Sequence, residues 1–187
     1  MSKNLPLLVS SLILLLLIPA VVFAGHQPSQ TKSQTFSVPA TAGDAAPPTT
    51  WFDTGFDLIS GQPVTVTASG TALFCPTPGL VGGGGCSTTP AGPIAGSPEP
   101  TLEPGGCPAC PADNVPLGTL IAKVGTAPPV VVGAGPVTLT GSGRLLFAYN
   151  DGYGDHFDNS GSYSVTITYN CAPGNGFGDP NHYHCGP

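Results

Sequence analysis

The chain has 187 residues, room for one domain with tails, and sets 4 Lys+Arg against 10 Asp+Glu for a formal net charge of −6. Four scattered cations make no basic patch, which argues against nucleic acid and against a polybasic membrane contact. Gly (27) and Pro (23) exclude long helices, and a 40% apolar fraction excludes disorder throughout, so an all-β domain with loop-rich insertions remains.

Residues 1–24 read as an export signal, with Lys3 at its start, the apolar run Leu12–Ile18 and a small-residue cleavage site at Val22-Phe23-Ala24. The alternative is an uncleaved anchor, because residues 5–24 just reach across a bilayer. Ser10, Ser11 and Pro19 interrupt that stretch, however, and no cationic stop follows it. The expectation is a secreted protein, extracellular or at the cell surface, without a membrane contact once the signal is cleaved. Six cysteines at 75, 86, 107, 110, 171 and 185 suit an oxidising compartment. Sequence alone does not choose their pairing. Cys171 with Cys185 is expected to staple the C-terminal tail, and Cys75, Cys86, Cys107 and Cys110 to pair within one insertion.

Residues 25–33 are polar and expected to form a flexible leader. A short strand over Thr35–Val38 follows, then a Pro/Thr-rich connection to Thr50 and the segment Trp51–Leu58. Val64-Thr65-Val66-Thr67-Ala68 alternates with strict period two and reads clearly as a strand. Thr71–Phe74 is a weaker candidate. Residues 75–116 contain Gly82-Gly83-Gly84-Gly85, many prolines and four of the cysteines without periodicity, which predicts a long disulfide-bearing insertion lacking regular structure. Strand patterns resume at Leu120–Val124, Val130–Val132, Val137–Thr140 and Leu145–Tyr149. The best-patterned strand is Ser162–Tyr169, whose even positions are Ser or Thr and whose odd positions are apolar, so one face should line a core. About eight short strands joined by Gly/Pro turns predict a jelly-roll-like β-sandwich over 34–169. The tail, 170–187, shows no strand pattern.

Three of the ten acids fall within eight residues, at Asp151, Asp155 and Asp158, inside Tyr149-Asn150-Asp151-Gly152-Tyr153-Gly154-Asp155-His156-Phe157-Asp158-Asn159-Ser160-Gly161. Like charges this close repel unless something compensates them. A Ca²⁺ ion would, since it takes six to eight hard oxygen ligands from carboxylates, amides and loop carbonyls. The EF-hand template does not fit, because the twelfth position from Asp151 is Ser162 and not Glu. The bland alternative is a polar hairpin loop, for which Asp, Asn, Gly and Ser are ordinary residues.

This loop resembles that of the calcium-dependent, galactose-binding PA-IL-like lectins (galactophilic PA-I type). The shared pattern is Tyr149-Asn150-Asp151, a short Gly-containing loop, then Asp158-Asn159-Ser160-Gly161-Ser162-Tyr163-Ser164-Val165. Trp51 with Asp53-Thr54-Gly55, the strand from Val64 running into Ser69-Gly70, and Leu120–Gly125 are similar as well. The resemblance covers residues 34–169 apart from the insertion. It implies a calcium site with side-chain oxygens from Asp151, Asp158 and Asn159 and main-chain carbonyls from Asp155 and Phe74. It further implies that two vicinal sugar hydroxyls complete the ion's shell while Asp151, Asp158 and Asn159 hydrogen-bond the sugar, a galactoside or related glycan. The sequence departs from the family at Asp158, where the lectins have Asn: an amide donates a hydrogen bond, whereas an ionised carboxylate only accepts.

Other signals have ordinary readings beside the functional ones. His156 is a candidate sugar contact, against a solvated residue at a loop tip. Trp51 could stack on a sugar, but Phe52 and Phe56 nearby favour core packing. Cys107-Pro108-Ala109-Cys110 lacks the second ligand pair of a zinc site and the strand–turn–helix context of a redox motif, so a structural disulfide is expected. Asp179, Asn181, His182 and His184 offer metal donors in what otherwise reads as an inert, stapled tail. No nucleophile elbow, phosphate loop or zinc-protease motif is present, and catalysis is not expected. Ca²⁺-dependent carbohydrate binding is the preferred function. The alternative is a calcium-stabilised structural or adhesive surface module that binds no free sugar, and homo-oligomerisation is left open.

Overall fold

The computed structural model describes residues 30–44, 50–74, 86–94, 107, 109–173 and 183–184. The expectations for the export signal, for Cys75 and Cys185, and for Asp179, Asn181 and His182 lie outside these residues. Twelve strands and one 3₁₀ turn are described: β1 (Gln30–Pro39), β2 (Phe52–Leu58), β3 (Val64–Ser69), β4 (Ala72–Leu73), β5 (Ser87–Thr89), β6 (Gly92–Pro93), β7 (Leu120–Val124), β8 (Val130–Val131), β9 (Val137–Leu139), β10 (Gly143–Tyr149), β11 (Ser160–Pro173) and β12 (Tyr183–His184). All pairings are antiparallel, in two sheets. No helix among the described residues is long and apolar enough to cross a membrane.

The first sheet is built on β11. This 14-residue strand pairs with β4 at its start, with β3 and β1 along its length, and with β12 at its end. The period-two pattern explains its position. Tyr163, Val165 and Ile167 are buried on the inner face, while the opposite face carries hydroxyls. Those hydroxyls pair across strands: Ser33 with Thr168 at 3.0 Å, Thr35 with Thr166 at 2.9 Å, and Thr31 to Asn170 Oδ1 at 2.8 Å. The second sheet runs β2-β10-β7-β8. Phe56, Leu58, Leu120, Ala122, Leu145, Phe147 and Tyr149 from this sheet meet Val38, Val66, Tyr163, Val165 and Ile167 from the first in one core. The expected all-β sandwich is what the chain forms.

β7 and β10 are buried on both faces. Trp51, Ile121, Leu146 and Ala148 form a second cluster on the outer side, covered by Ala112 and Val115 from the end of the insertion. Residues apolar on both faces read as a continuous run rather than an alternation, which is the pattern of Leu145–Tyr149. Trp51 is thus a core residue, 4% exposed, as its neighbourhood suggested.

Three local expectations need correction. β1 begins at Gln30, so residues 30–33 of the supposed flexible leader are strand; Gln30 pairs with Cys171, and cross-strand hydroxyl bonds hold a segment with no apolar signal. The insertion contains a hairpin, β5–β6, attached to β4 through Ala72↔Thr88 and Leu73↔Ser87. The tail contributes β12, which pairs with Ala172 and Pro173. Cys107 and Cys110 form a disulfide as expected, and Cys86 and Cys171 are disulfide-bonded too.

Candidate functional site

Residues 150–159 connect β10 to β11, so the acidic segment joins central strands of the two sheets. Its first residue fixes the insertion in place. Asn150 is fully buried; its Oδ1 accepts from the Ala112 N–H at 2.9 Å and its Nδ2 donates to the Val115 carbonyl at 2.9 Å. The Asn150 main chain adds two further bonds, to Thr119 and Gly118. Behind it, the Tyr149 and Tyr163 hydroxyls meet Thr88 Oγ1 at 2.9 and 2.6 Å, and Tyr163 donates to the Gly118 carbonyl at 2.7 Å. Gly118 is required at this crossing: its φ is +74°, and a Cβ would overlap the Thr88 side chain. The insertion therefore abuts the residue next to Asp151, held by bonds to the core.

Asp151 turns inward and is 7% exposed. Its Oδ1 accepts from the Gly152 N–H at 2.8 Å and its Oδ2 from Asn159 Nδ2 at 2.9 Å. Burial raises its pKa above the ordinary carboxylate value. The Asn159 and Gly152 bonds and the nearby His156 oppose that rise, and Asp155 adds to it. Asn159 is equally buried, and its second amide hydrogen goes to the Ala40 carbonyl at 3.1 Å. Both hydrogens of Nδ2 are thus committed to oxygen acceptors, which fixes the amide orientation. Asn159 Oδ1 is left buried without a hydrogen-bond partner. A buried acceptor in that condition is costly, by about 1–3 kcal/mol, unless something else meets it.

A 3₁₀ turn, His156–Asp158, carries the other candidates. His156 is not at a solvated tip, as the sequence suggested; it is 1% exposed. Its Nδ1 lies 3.1 Å from the Gly152 carbonyl and 3.4 Å from Asp44 Oδ1, and its Nε2 lies 3.2 Å from the Tyr149 carbonyl. With both ring nitrogens engaged inside the protein, no polar ring atom is left to touch a sugar, and the expected sugar contact is corrected to a role in holding the turn. Asp44, which the sequence reading did not single out, reaches the same turn and accepts from the Gly154 N–H at 2.8 Å. No signal beyond a turn-forming Gly43-Asp44 pair marked it, since it lies 110 residues from Gly154.

The three carboxylates differ in exposure. Asp151 is buried, Asp158 half-buried and Asp155 exposed, with Asp155 Oδ2 lying 2.5 Å from where a Cβ on Gly152 would stand. Among the described residues no group of three or more His, Cys, Asp or Glu is arranged to hold a metal ion. What the structure brings together is Asp151 with Asn159, the two ends of the loop. Leu73 at the end of β4 pairs with Ser160 at the start of β11, so Phe74 and Asn159 are the residues that flank this pair in the chain. Phe74's N–H is used on the Cys86 carbonyl.

Donor chemistry fits a hard cation on one count: a buried carboxylate hydrogen-bonded to a buried amide whose oxygen lacks a partner. Asp53-Thr54-Gly55, by contrast, is structural. Asp53 Oδ1 accepts from the Gly55 N–H, and Thr54 Oγ1 donates to the Leu145 carbonyl at 2.7 Å.

No family model matches the sequence, and no curated protein matches it. Among solved structures, a chain described as the EclA N-terminal domain, a PllA-like lectin, is similar over 72% of this chain and 94% of its own length, with 23% identity and a TM-score of 0.49.

Proposed function

We propose that this protein is a secreted, Ca²⁺-dependent carbohydrate-binding module without catalytic activity. The observation that carries the reading is the paired, buried Asp151 and Asn159 with an unpartnered Asn159 Oδ1 between the two sheets' central strands. Asp151, Asp158 and Asn159 would supply side-chain oxygens to the ion, and Asp155 and Phe74 main-chain carbonyls. When bound, the ion supplies Lewis acidity toward two vicinal hydroxyls of a sugar, which offer hard oxygens at a spacing one cation can grip.

The chain's own residues do the rest. Asp158, half-buried and acceptor-only when ionised, takes a hydrogen bond from a sugar hydroxyl. Asn159 is held by Ala40 and Asp151, so its carbonyl oxygen is set in place before any ligand arrives. His156 and Asp44 fasten the turn that carries Asp155 and Asp158, and Asn150 fixes the insertion beside it.

Isothermal titration of galactosides and a glycan array, each with and without chelator, test the reading. Glycan binding that chelator abolishes supports it. A chelator-induced drop in melting temperature with no glycan bound at any calcium level overturns it in favour of a calcium-stabilised structural or adhesive module, which the Asn159–Ala40 bond between the loop and the turn after β1 favours.

A further inference from the structure

Phe157 is 82% exposed, more than any other large apolar side chain among the described residues. The others in that class, Ile59, Ile94, Val130, Val131 and Tyr153, are 40–52% exposed. Its setting is rigid. On one side His156 is buried, with both ring nitrogens engaged; two residues on, Asn159 is buried and bonded to Ala40 and Asp151. The turn is therefore fastened at both ends, and it presents a benzyl ring to water between the proposed ligands Asp155 and Asp158. An aromatic ring left in water forgoes the stabilisation that burying its apolar surface would give. A rigid turn that holds one there, between two residues of a candidate site, has a surface to offer a ligand.

We infer that Phe157 is a stacking platform that selects, among molecules bearing a vicinal diol, those with a pyranose ring presenting a continuous C–H face. This inference rests on the carbohydrate-binding reading above and adds a second determinant to it. Cation coordination and hydrogen bonds recognise hydroxyls and are met by an acyclic polyol as well as by a sugar. The aromatic face carries the negative lobe of the ring quadrupole and attracts the weakly positive C–H bonds of a pyranose, which an acyclic polyol does not present as a rigid plane.

The test uses the full secreted chain. Calcium alone is titrated first by calorimetry; methyl β-galactoside and sorbitol are then titrated at saturating calcium against wild type, Phe157→Ala, Phe157→Trp and the surface control Ile59→Ala. Phe157→Ala is expected to weaken methyl β-galactoside about tenfold, with calcium affinity and the response to sorbitol unchanged. Phe157→Trp should retain or strengthen galactoside binding, and Ile59→Ala should leave it as in wild type. Wild-type galactoside affinity in Phe157→Ala with calcium bound overturns the platform and leaves the carbohydrate-binding reading standing. Absence of calcium binding in wild type, or calcium binding with no galactoside bound, overturns both.

Discussion

Replacing Asp151 by Asn changes one buried charge and almost no volume. The carboxylate accepts two hydrogen bonds, from the Gly152 N–H and from Asn159 Nδ2, at 2.8 and 2.9 Å. An amide keeps one acceptor, so one of these bonds is lost, at about 1 kcal/mol. Against this, the substitution removes a charge that burial disfavours, as the raised pKa of Asp151 records. Without calcium the two effects oppose, and the stability of Asp151→Asn should stay within about 1 kcal/mol of wild type. With calcium they no longer compensate. A ligand at a hundred times its Kd stabilises the folded state by about 2.7 kcal/mol, which for a domain of this size raises Tm by about 8 °C. Differential scanning calorimetry in chelator and in millimolar calcium should show that rise in wild type and little or none in Asp151→Asn. An equal rise in both proteins, or no rise in wild type, refutes the reasoning.

Asp158→Asn removes a negative charge and supplies an amide donor; two unit charges about 4 Å apart in water interact by about 1 kcal/mol, doubled for a divalent ion, so calcium should bind about tenfold to thirtyfold more weakly. Calorimetric titration of calcium checks this, and an unchanged Kd removes Asp158 from the ligand set. Asn150→Ala deletes both side-chain bonds that hold the insertion and leaves the Ala112 N–H and Val115 carbonyl unpaired, for a loss of about 2–4 kcal/mol. Urea denaturation and faster proteolysis between residues 107 and 118 report it. Burial raises the pKa of both Tyr149 and Tyr163, so above the ordinary tyrosine value of 10.0 the unfolded chain loses phenolic protons that the folded chain keeps. Stability should therefore fall as pH rises beyond about 10. Urea midpoints at pH 9, 10 and 11 should drop in wild type, and the drop should shrink in Tyr149→Phe.

The sandwich was legible where one face of a strand is buried. Val64–Ala68 and Ser162–Tyr169 alternate because one side meets the core and the other meets water, and their apolar positions are those that the core encloses. Elements held by other means gave no such signal. β1 from Gln30 to Gln34 is exposed on both faces and is held by its ladder and its hydroxyl pairs, so its sequence reads as a polar leader. The hairpin Ser87–Pro93 is docked by Thr88 to two tyrosine hydroxyls, contacts with no period. At the candidate site the acids and Asn159 were visible as composition, whereas the bond between Asp151 and Asn159 closes the two ends of a loop that crosses from one sheet to the other and leaves no periodic signal. His156 was misjudged because a histidine at a loop tip is usually solvated, whereas the carbonyls of Tyr149, at the end of β10, and of Gly152 enclose it. Asp44 was missed because its contact with the loop is purely tertiary.

Asp151 is buried without a Lys or Arg partner among the described residues. The described ion pairs are Arg144 with Asp53 and Asp57, on the far sheet edge, and the His156–Asp44 contact. Among the described residues no Lys or Arg pairs with Asp151, which is nonetheless buried and has Asp155 raising its pKa. Two dipolar hydrogen bonds only partly replace the water it has lost. An Asn or Ser here would make the same local bond to the Gly152 N–H without the charge, and would forgo only the second bond, from Asn159 Nδ2. The amide that meets Asp151 likewise turns its donors toward the acid and the Ala40 carbonyl, leaving its acceptor unmet. Both groups carry negative potential that no described cation meets, and under the proposed reading a small divalent cation within reach of both would relieve both, whereas a neutral ligand or a water molecule would satisfy the amide oxygen but not the charge.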